Sequence, residues 1–180
     1  MEEENIRYPI GMFTPRVNSA PEDRVDYITE IAKIVPTLHD TIKKCNTTRL
    51  HTPYRTNGWT PHEIIHHLAD NDMNAFIRLK RALTEIEPQA ASYREDLWAE
   101  LNDYKQTPVL VSIHLLEAIH FRIMKLLEGL NAEDYDRKLR TNALGWITVD
   151  TAIQRFIWHN HHHTSQIQEF INRIQKYDNG

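Results

Sequence analysis

Apolar residues recur at steps of three and four through most of this chain, the period of helices with one buried face. From Pro21 to Cys45, that face is Ile28, Ile31, Val35, Leu38 and Ile42, and Pro36 is expected to kink the helix. A polar stretch, Asn46 to Gly58, precedes a marked second start: Thr60 as N-cap, Pro61 at the first helical position, and Glu63 three residues past the cap. This helix is predicted to reach Glu85 on Ile64, Leu68, Ala75, Phe76, Leu79 and Leu83. Thr107 and Pro108 open a third, whose inner stripe is Val109, Ile113, Leu116, His120, Ile123 and Leu127 until Gly129 stops it. The fourth runs from near Thr148 to near Lys176 on Ala152, Phe156, His159, His163, Ile167, Phe170 and Ile174.

The intervals between them are less regular. Residues 1–20, broken by Pro9, Gly11 and Pro15, read as an arm lying on the surface. Residues 86–106 form a long connection with one short helix around Glu95 to Tyr104, and residues 130–147 form another, with a small strand or turn at Gly145-Trp146. Four amphipathic helices and two long connections, without internal repeats, imply an all-α four-helix bundle and a single domain over residues 1–180.

Composition narrows the chemistry. The five glycines are too scattered for a phosphate-binding loop or a dinucleotide turn, and the single Cys45 excludes disulfide frameworks and cysteine-based zinc sites. A net charge of −4 argues against nucleic-acid or membrane-surface partners. The start Met1-Glu2-Glu3-Glu4 is unlike a basic signal peptide and no apolar run approaches the roughly 18 residues of a membrane span, so the expected location is the cytoplasm. Eleven histidines are present, seven of them between residues 62–67 and 159–163.

His159 and His163 sit four apart within an otherwise apolar stripe, where one ion can reach both rings and an unpaired imidazole would be costly. At about 100° per residue, His161 points nearly opposite and His162 falls on a flank. If the second helix faces the fourth, His67 completes a three-histidine site, with Asp70 and Asn71 on the same side of the helix. Asp70 then orients a ligand ring or a water, or is a surface or capping carboxylate; His120 lines the pocket, or is a satisfied core histidine. Two other motifs compete. His62-Glu63-Ile64-Ile65-His66 spells H-E-x-x-H, with Glu85 or Glu87 as conceivable third ligand, but it opens a helix where His62 should be near solvent, and Ala69 replaces the glycine of the longer motif. Glu63-x-x-His66 and Glu117-x-x-His120 match a di-iron pattern, yet sit at different depths and leave His159 and His163 unexplained.

Tyr8-Pro9-Ile10-Gly11, Thr52-Pro53-Tyr54-Arg55, Gly58-Trp59-Thr60, His66-His67-Leu68-Ala69-Asp70, Trp158-His159-Asn160-His161-His162-His163 and Gln166-Ile167 together resemble the DinB/YfiT-like superfamily. The similarity is to its branch of metal-dependent hydrolases, which overlaps with bacillithiol S-transferases, and it covers nearly the whole chain. It implies a four-helix bundle, often a homodimer, with one divalent ion per subunit, Zn²⁺ or Ni²⁺, held by His67, His159 and His163. A small-molecule substrate is expected. Three imidazoles leave coordination positions open, which suits hydrolysis by an activated water, with Asp70 or a nearby histidine such as His120 handling protons. It equally suits transfer of a low-molecular-weight thiol, supplied from outside because Cys45 lies off the site. A non-catalytic metal-binding module is the third possibility. Arg55, Arg78 and Arg155 are candidates for holding an anionic group.

Overall fold

The computed structural model describes residues 2–16 and 21–178. Four long helices form the bundle: α2 (Pro21–Ile42), α4 (Pro61–Thr84), α7 (Val109–Leu127) and α9 (Val149–Asp178). Between them lie α1 (Glu2–Arg7), α3 (Thr47–Leu50), α5 (Glu95–Trp98), α6 (Asn102–Gln106) and α8 (Ala132–Asp136), with an antiparallel hairpin of β1 (Lys138–Thr141) and β2 (Gly145–Thr148). Helix α4 packs on α7 and α9, and α2 packs on the same two, so α2 lies diagonally across from α4 and α7 across from α9. The connections 43–60 and 128–148 therefore cross the bundle ends between diagonal partners, which is why neither is a tight turn.

Local chemistry explains most boundaries. At the start of α4, the Thr60 side chain accepts from the Glu63 N–H while the Glu63 carboxylate accepts from the Thr60 N–H at 2.8 Å, a complete capping box with Pro61 behind it. Helix α2 continues through Pro36 and ends at Ile42 rather than Cys45; Pro36 and Ala32 are both exposed, so the carbonyl that proline leaves without a partner faces water. Helix α7 starts one residue later than expected, with Pro108 at the cap position and no side-chain cap. The expected helix at Glu95 to Tyr104 is split into α5 and α6, and α8, capped by Asn131, was not foreseen. The hairpin turns at Gly145, whose φ of +68° a side chain would resist. The N-terminal arm is partly helical, as α1, and residues 17–20 of it lie outside the described residues.

Two apolar clusters fill the bundle. One gathers Tyr27, Ile31, Leu79, Ile123, Ile153 and Phe156; the other Leu38, Ile65, Leu68, Leu116, Ile167 and Phe170. Between them lies a layer of buried polar groups: His67, Asp72, His120, Asn160 and His163. Asp72 is fully buried at its centre, its Oδ2 2.7 Å from His120 Nε2 and its Oδ1 accepting from Asn160 at 3.1 Å and Asn71 at 3.2 Å. One carboxylate thus joins α4, α7 and α9. Among the described residues, no helix is long and apolar enough to cross a membrane.

The capping box gives a direct test of this frame. Thr60→Ala is expected to lower stability by about 1 kcal/mol in urea titration.

Candidate metal centre

The second long helix does face the fourth, and the seam between α4 and α9 brings His67, His159 and His163 together. Their ligand atoms all lie within 4.8 Å of one another, and Nε2 of His67 is 3.3 Å from Nε2 of His159. Two bonds of about 2.0–2.1 Å meeting at a tetrahedral ion separate their nitrogens by roughly 3.3–3.4 Å, so this spacing fits one first-row divalent ion. Trp59 covers the rings, with its centroid 4.6 Å from that of His67. Burial holds the His67 pKa down at about 4, with the nearby Arg155 charge pushing the same way. Burial and mutual repulsion keep His159 and His163 well below the ordinary histidine value. All three are therefore neutral near pH 7, the form that ligates.

The surroundings set the orientation of the rings. The side-chain NH₂ of Gln166 donates to the Arg7 carbonyl at 2.7 Å, a group that can only accept, so the amide is fixed with Oε1 toward His163 Nδ1 at 2.8 Å. His163 Nδ1 then carries the proton and Nε2 presents its lone pair to the centre. The same NH₂ lies 2.9 Å from Tyr54 Oη and 3.0 Å from His162 Nε2. On the other flank, the Asn71 NH₂ donates to Asp72 Oδ1 at 3.2 Å and lies 3.2 Å from His159 Nδ1, which as acceptor leaves that ring's proton on Nε2; ligation through Nε2 requires the proton to leave that atom and this contact to open.

The other sequence candidates lie elsewhere. Asp70 accepts a 2.7 Å bond from Tyr104, and burial raises its pKa; it does not face the triad. His120 is held by Asp72 in the core, the satisfied role. His62 is buried, contrary to expectation, because the 43–60 connection folds back and sets the His51 ring 4.6 Å from it. His62 and His66 approach at 3.4 Å through Nε2, and His66 Nδ1 lies 2.7 Å from Ser112 Oγ. Their H-E-x-x-H glutamate is consumed by the capping box, and the second di-iron carboxylate, Glu117, is exposed, so neither rival site assembles. His161 turns away toward Glu30 at 3.5 Å, as its angle on the helix requires. His162 is stacked on Trp158 at 4.7 Å, beside the triad.

A cavity of about 320 Å³ opens over all three histidines, bordered by Tyr8, Arg55, Trp59, Arg155 and His162. A second, of about 260 Å³, reaches His159 from behind along Leu79, Leu139 and Phe156. Of the arginines, Arg78 donates to the Ala91 carbonyl and Arg55 to Tyr54 Oη and the Thr56 carbonyl; Arg155 lines both cavities. Asp72 was missed in the sequence, although an aspartate in the stripe Ile65, Leu68, Asp72, Leu79 is the same kind of anomaly as a histidine in the seam of α9.

Comparison with known proteins agrees with this architecture. The DinB superfamily model matches residues 36–167. Relatives in Bacillus cereus (strain 03BB102) and Bacillus thuringiensis subsp. konkukian, each named "Putative metal-dependent hydrolase", are 39% identical over 171 residues, covering 94% of this chain and 98% of theirs. The solved structure of YfiT from Bacillus subtilis, described as "a probable metal-dependent hydrolase with an unusual four-helix bundle topology", superposes with a TM-score of 0.92 at 34% identity, covering 95% of this chain and 98% of that one. A bundle with diagonal connections and a histidine seam, matched by the family model over most of its length, makes this chain a member of the DinB superfamily.

Proposed function

We propose that this chain is a metal-dependent hydrolase in which His67, His159 and His163 hold one divalent ion through Nε2, leaving positions open toward the 320 Å³ cavity. The observation that carries this reading is the convergence of three neutral imidazoles on one point in a buried seam. Zn²⁺ and Ni²⁺ both suit such a donor set. When bound, the ion supplies an acidified water and polarises a carbonyl. The protein's own part is to fix the His163 ring through Gln166, to limit solvent with Trp59, and to offer His162 and Glu95 as titratable groups along the cavity. Cys45 lines neither cavity and burial raises its pKa, so it is not the nucleophile. That same placement keeps a second reading open, transfer of a small external thiol to an electrophile, with Arg7 and Arg55 beside the cavity to meet its anionic groups. A cytoplasmic homodimer remains the expected setting, and Leu110, Val111, Leu115 and Phe121 on α7 offer an exposed apolar face for a second copy.

A screen of metal-loaded protein against esters, amides and a chlorinated bimane, with and without bacillithiol, separates the two reactions. Cleavage without thiol is expected; turnover that requires thiol would favour transfer.

Metal analysis tests the site. Wild type is expected to hold one ion per chain, His163→Ala to lose it, and Gln166→Leu to bind about 10–100-fold more weakly. His62→Ala should retain the ion, and loss there would restore the H-E-x-x-H site.

Protons compete for the same rings. Burial holds His66, His67 and His162 down at about 4, whereas the unfolded chain protonates near 6.5. Their contribution to stability is complete above about pH 6.5 and is lost as pH falls toward 4. The thermal midpoint of chelator-treated protein should therefore drop between pH 7 and 5, and a flat profile would contradict the assignment.

A further inference from the structure

Arg155 stands four residues before His159 and eight before His163, so it extends the ligand stripe by one turn, about 6 Å along α9. Its guanidinium lies 4.4 Å from the Trp158 ring and 5.6 Å from that of Phe13. Its Nη1 is buried with no hydrogen-bond partner, and no carboxylate of the described residues comes within ion-pair distance. Two neighbours share this condition: Tyr93 Oη, in the wall of the 260 Å³ cavity, and Trp158 Nε1, beside the 320 Å³ cavity, are also buried without partners. Each of these three groups can donate, and buried groups left unsatisfied in this way call for an explanation. The smaller cavity has an apolar wall of Ala75, Leu79, Leu139 and Phe156, polar groups of Arg78, Ser92, Thr141 and Asn142 elsewhere in its lining, and His159 among its borders.

We propose that this cavity is the substrate chamber for a small carboxylate with an apolar body, in which Arg155, aided by Tyr93, takes the carboxylate. The apolar body lies along Leu79, Leu139 and Phe156, and an electrophilic carbonyl a few bonds from the carboxylate then falls beside His159. An N-acylated apolar amino acid combines these three features. The chamber's preference for an anion follows from Arg155, since Arg78, the other arginine in its lining, is engaged by the Ala91 carbonyl; only the placement of the carbonyl rests on the metal-site reading. Glu95, which borders both cavities and is exposed, is the acidic group that disfavours an incoming anion.

Calorimetric titration of the metal-loaded protein with 4-phenylbutyrate and with the neutral 4-phenylbutanol tests the chamber, with metal content measured in every sample. Wild type should bind the carboxylate at least about tenfold more tightly than the alcohol. Arg155→Met should abolish that preference while leaving the alcohol affinity and metal content unchanged, and Arg155→Lys should keep part of it. Glu95→Gln, at an exposed position, should tighten carboxylate binding. A preference that survives in Arg155→Met means the carboxylate is held elsewhere, by the ion or by Arg78, and overturns the proposal. So does the absence of any preference in wild type. If Arg155→Met proves unstable, failure of Glu95→Gln and Arg155→Lys to shift carboxylate affinity overturns it as well. Metal-free wild type should select the carboxylate as well, and loss of the preference there overturns the proposal; wild type that takes up no ion, yet still selects the carboxylate, would sink the metal-site reading and leave the chamber standing.

Discussion

Everything near the centre of this bundle depends on keeping three imidazoles neutral and facing one another between α4 and α9. Burial is the main cause of neutrality, since a charged ring in that seam would lose its hydration without gaining a counter-charge, and the neighbouring histidines and Arg155 push the same way. Neutrality brings its own difficulty, because nitrogen lone pairs aimed at one point repel. A cation removes that repulsion, so metal binding and packing of the seam are two aspects of one free energy. The two apolar clusters on either side make this workable. They supply the cohesion that lets the polar layer between them be arranged for chemistry.

The ring orientations are set by parts of the chain remote from the seam in sequence. The Arg7 carbonyl at the end of α1 fixes the Gln166 amide, and through it the protonated nitrogen of His163. Tyr54, from the connection between α2 and α4, shares the same amide. A segment that looks like an arm and a stretch that looks like a loop therefore hold a candidate ligand in position. On the opposite flank, Asp72 ties α4 to α7 and α9 in one network, so displacement of any of those helices would disturb His159 through Asn71. Such a network specifies one arrangement of the polar layer more strongly than interchangeable apolar contacts would.

How much of this can be read from the chain follows from which forces are local. The capping box at Thr60 and Glu63 is a contact across three residues and appears at the predicted positions. The histidines of α9 were visible because a helix has a fixed period and imidazoles in an apolar stripe break it. The diagonal connections were not visible, since helical amphipathicity says which face is buried and nothing about which neighbour covers it. The burial of His62 belongs to the same class: it depends on the 43–60 connection returning over the start of α4. Asp72 was legible in principle and overlooked. Helix α1 carries its meaning in one backbone carbonyl, and no side-chain pattern announces a carbonyl.

Asp72 and Arg155 show what a buried charge reveals in this fold. The bundle is able to neutralise one: Asp72 has a histidine and two amides around it, and its role is structural. Arg155, five residues before Asn160 of the same layer, has no such set of partners, and burial pulls its pKa down against a smaller opposing effect of the Glu95 charge. Its guanidinium lies over the Trp158 and Phe13 rings, cation–π contacts that offset part of the desolvation without supplying a hydrogen-bond acceptor. A guanidinium with a buried nitrogen left without an acceptor, set one turn from a candidate ligand and open to two cavities, is the feature from which the substrate chamber is inferred.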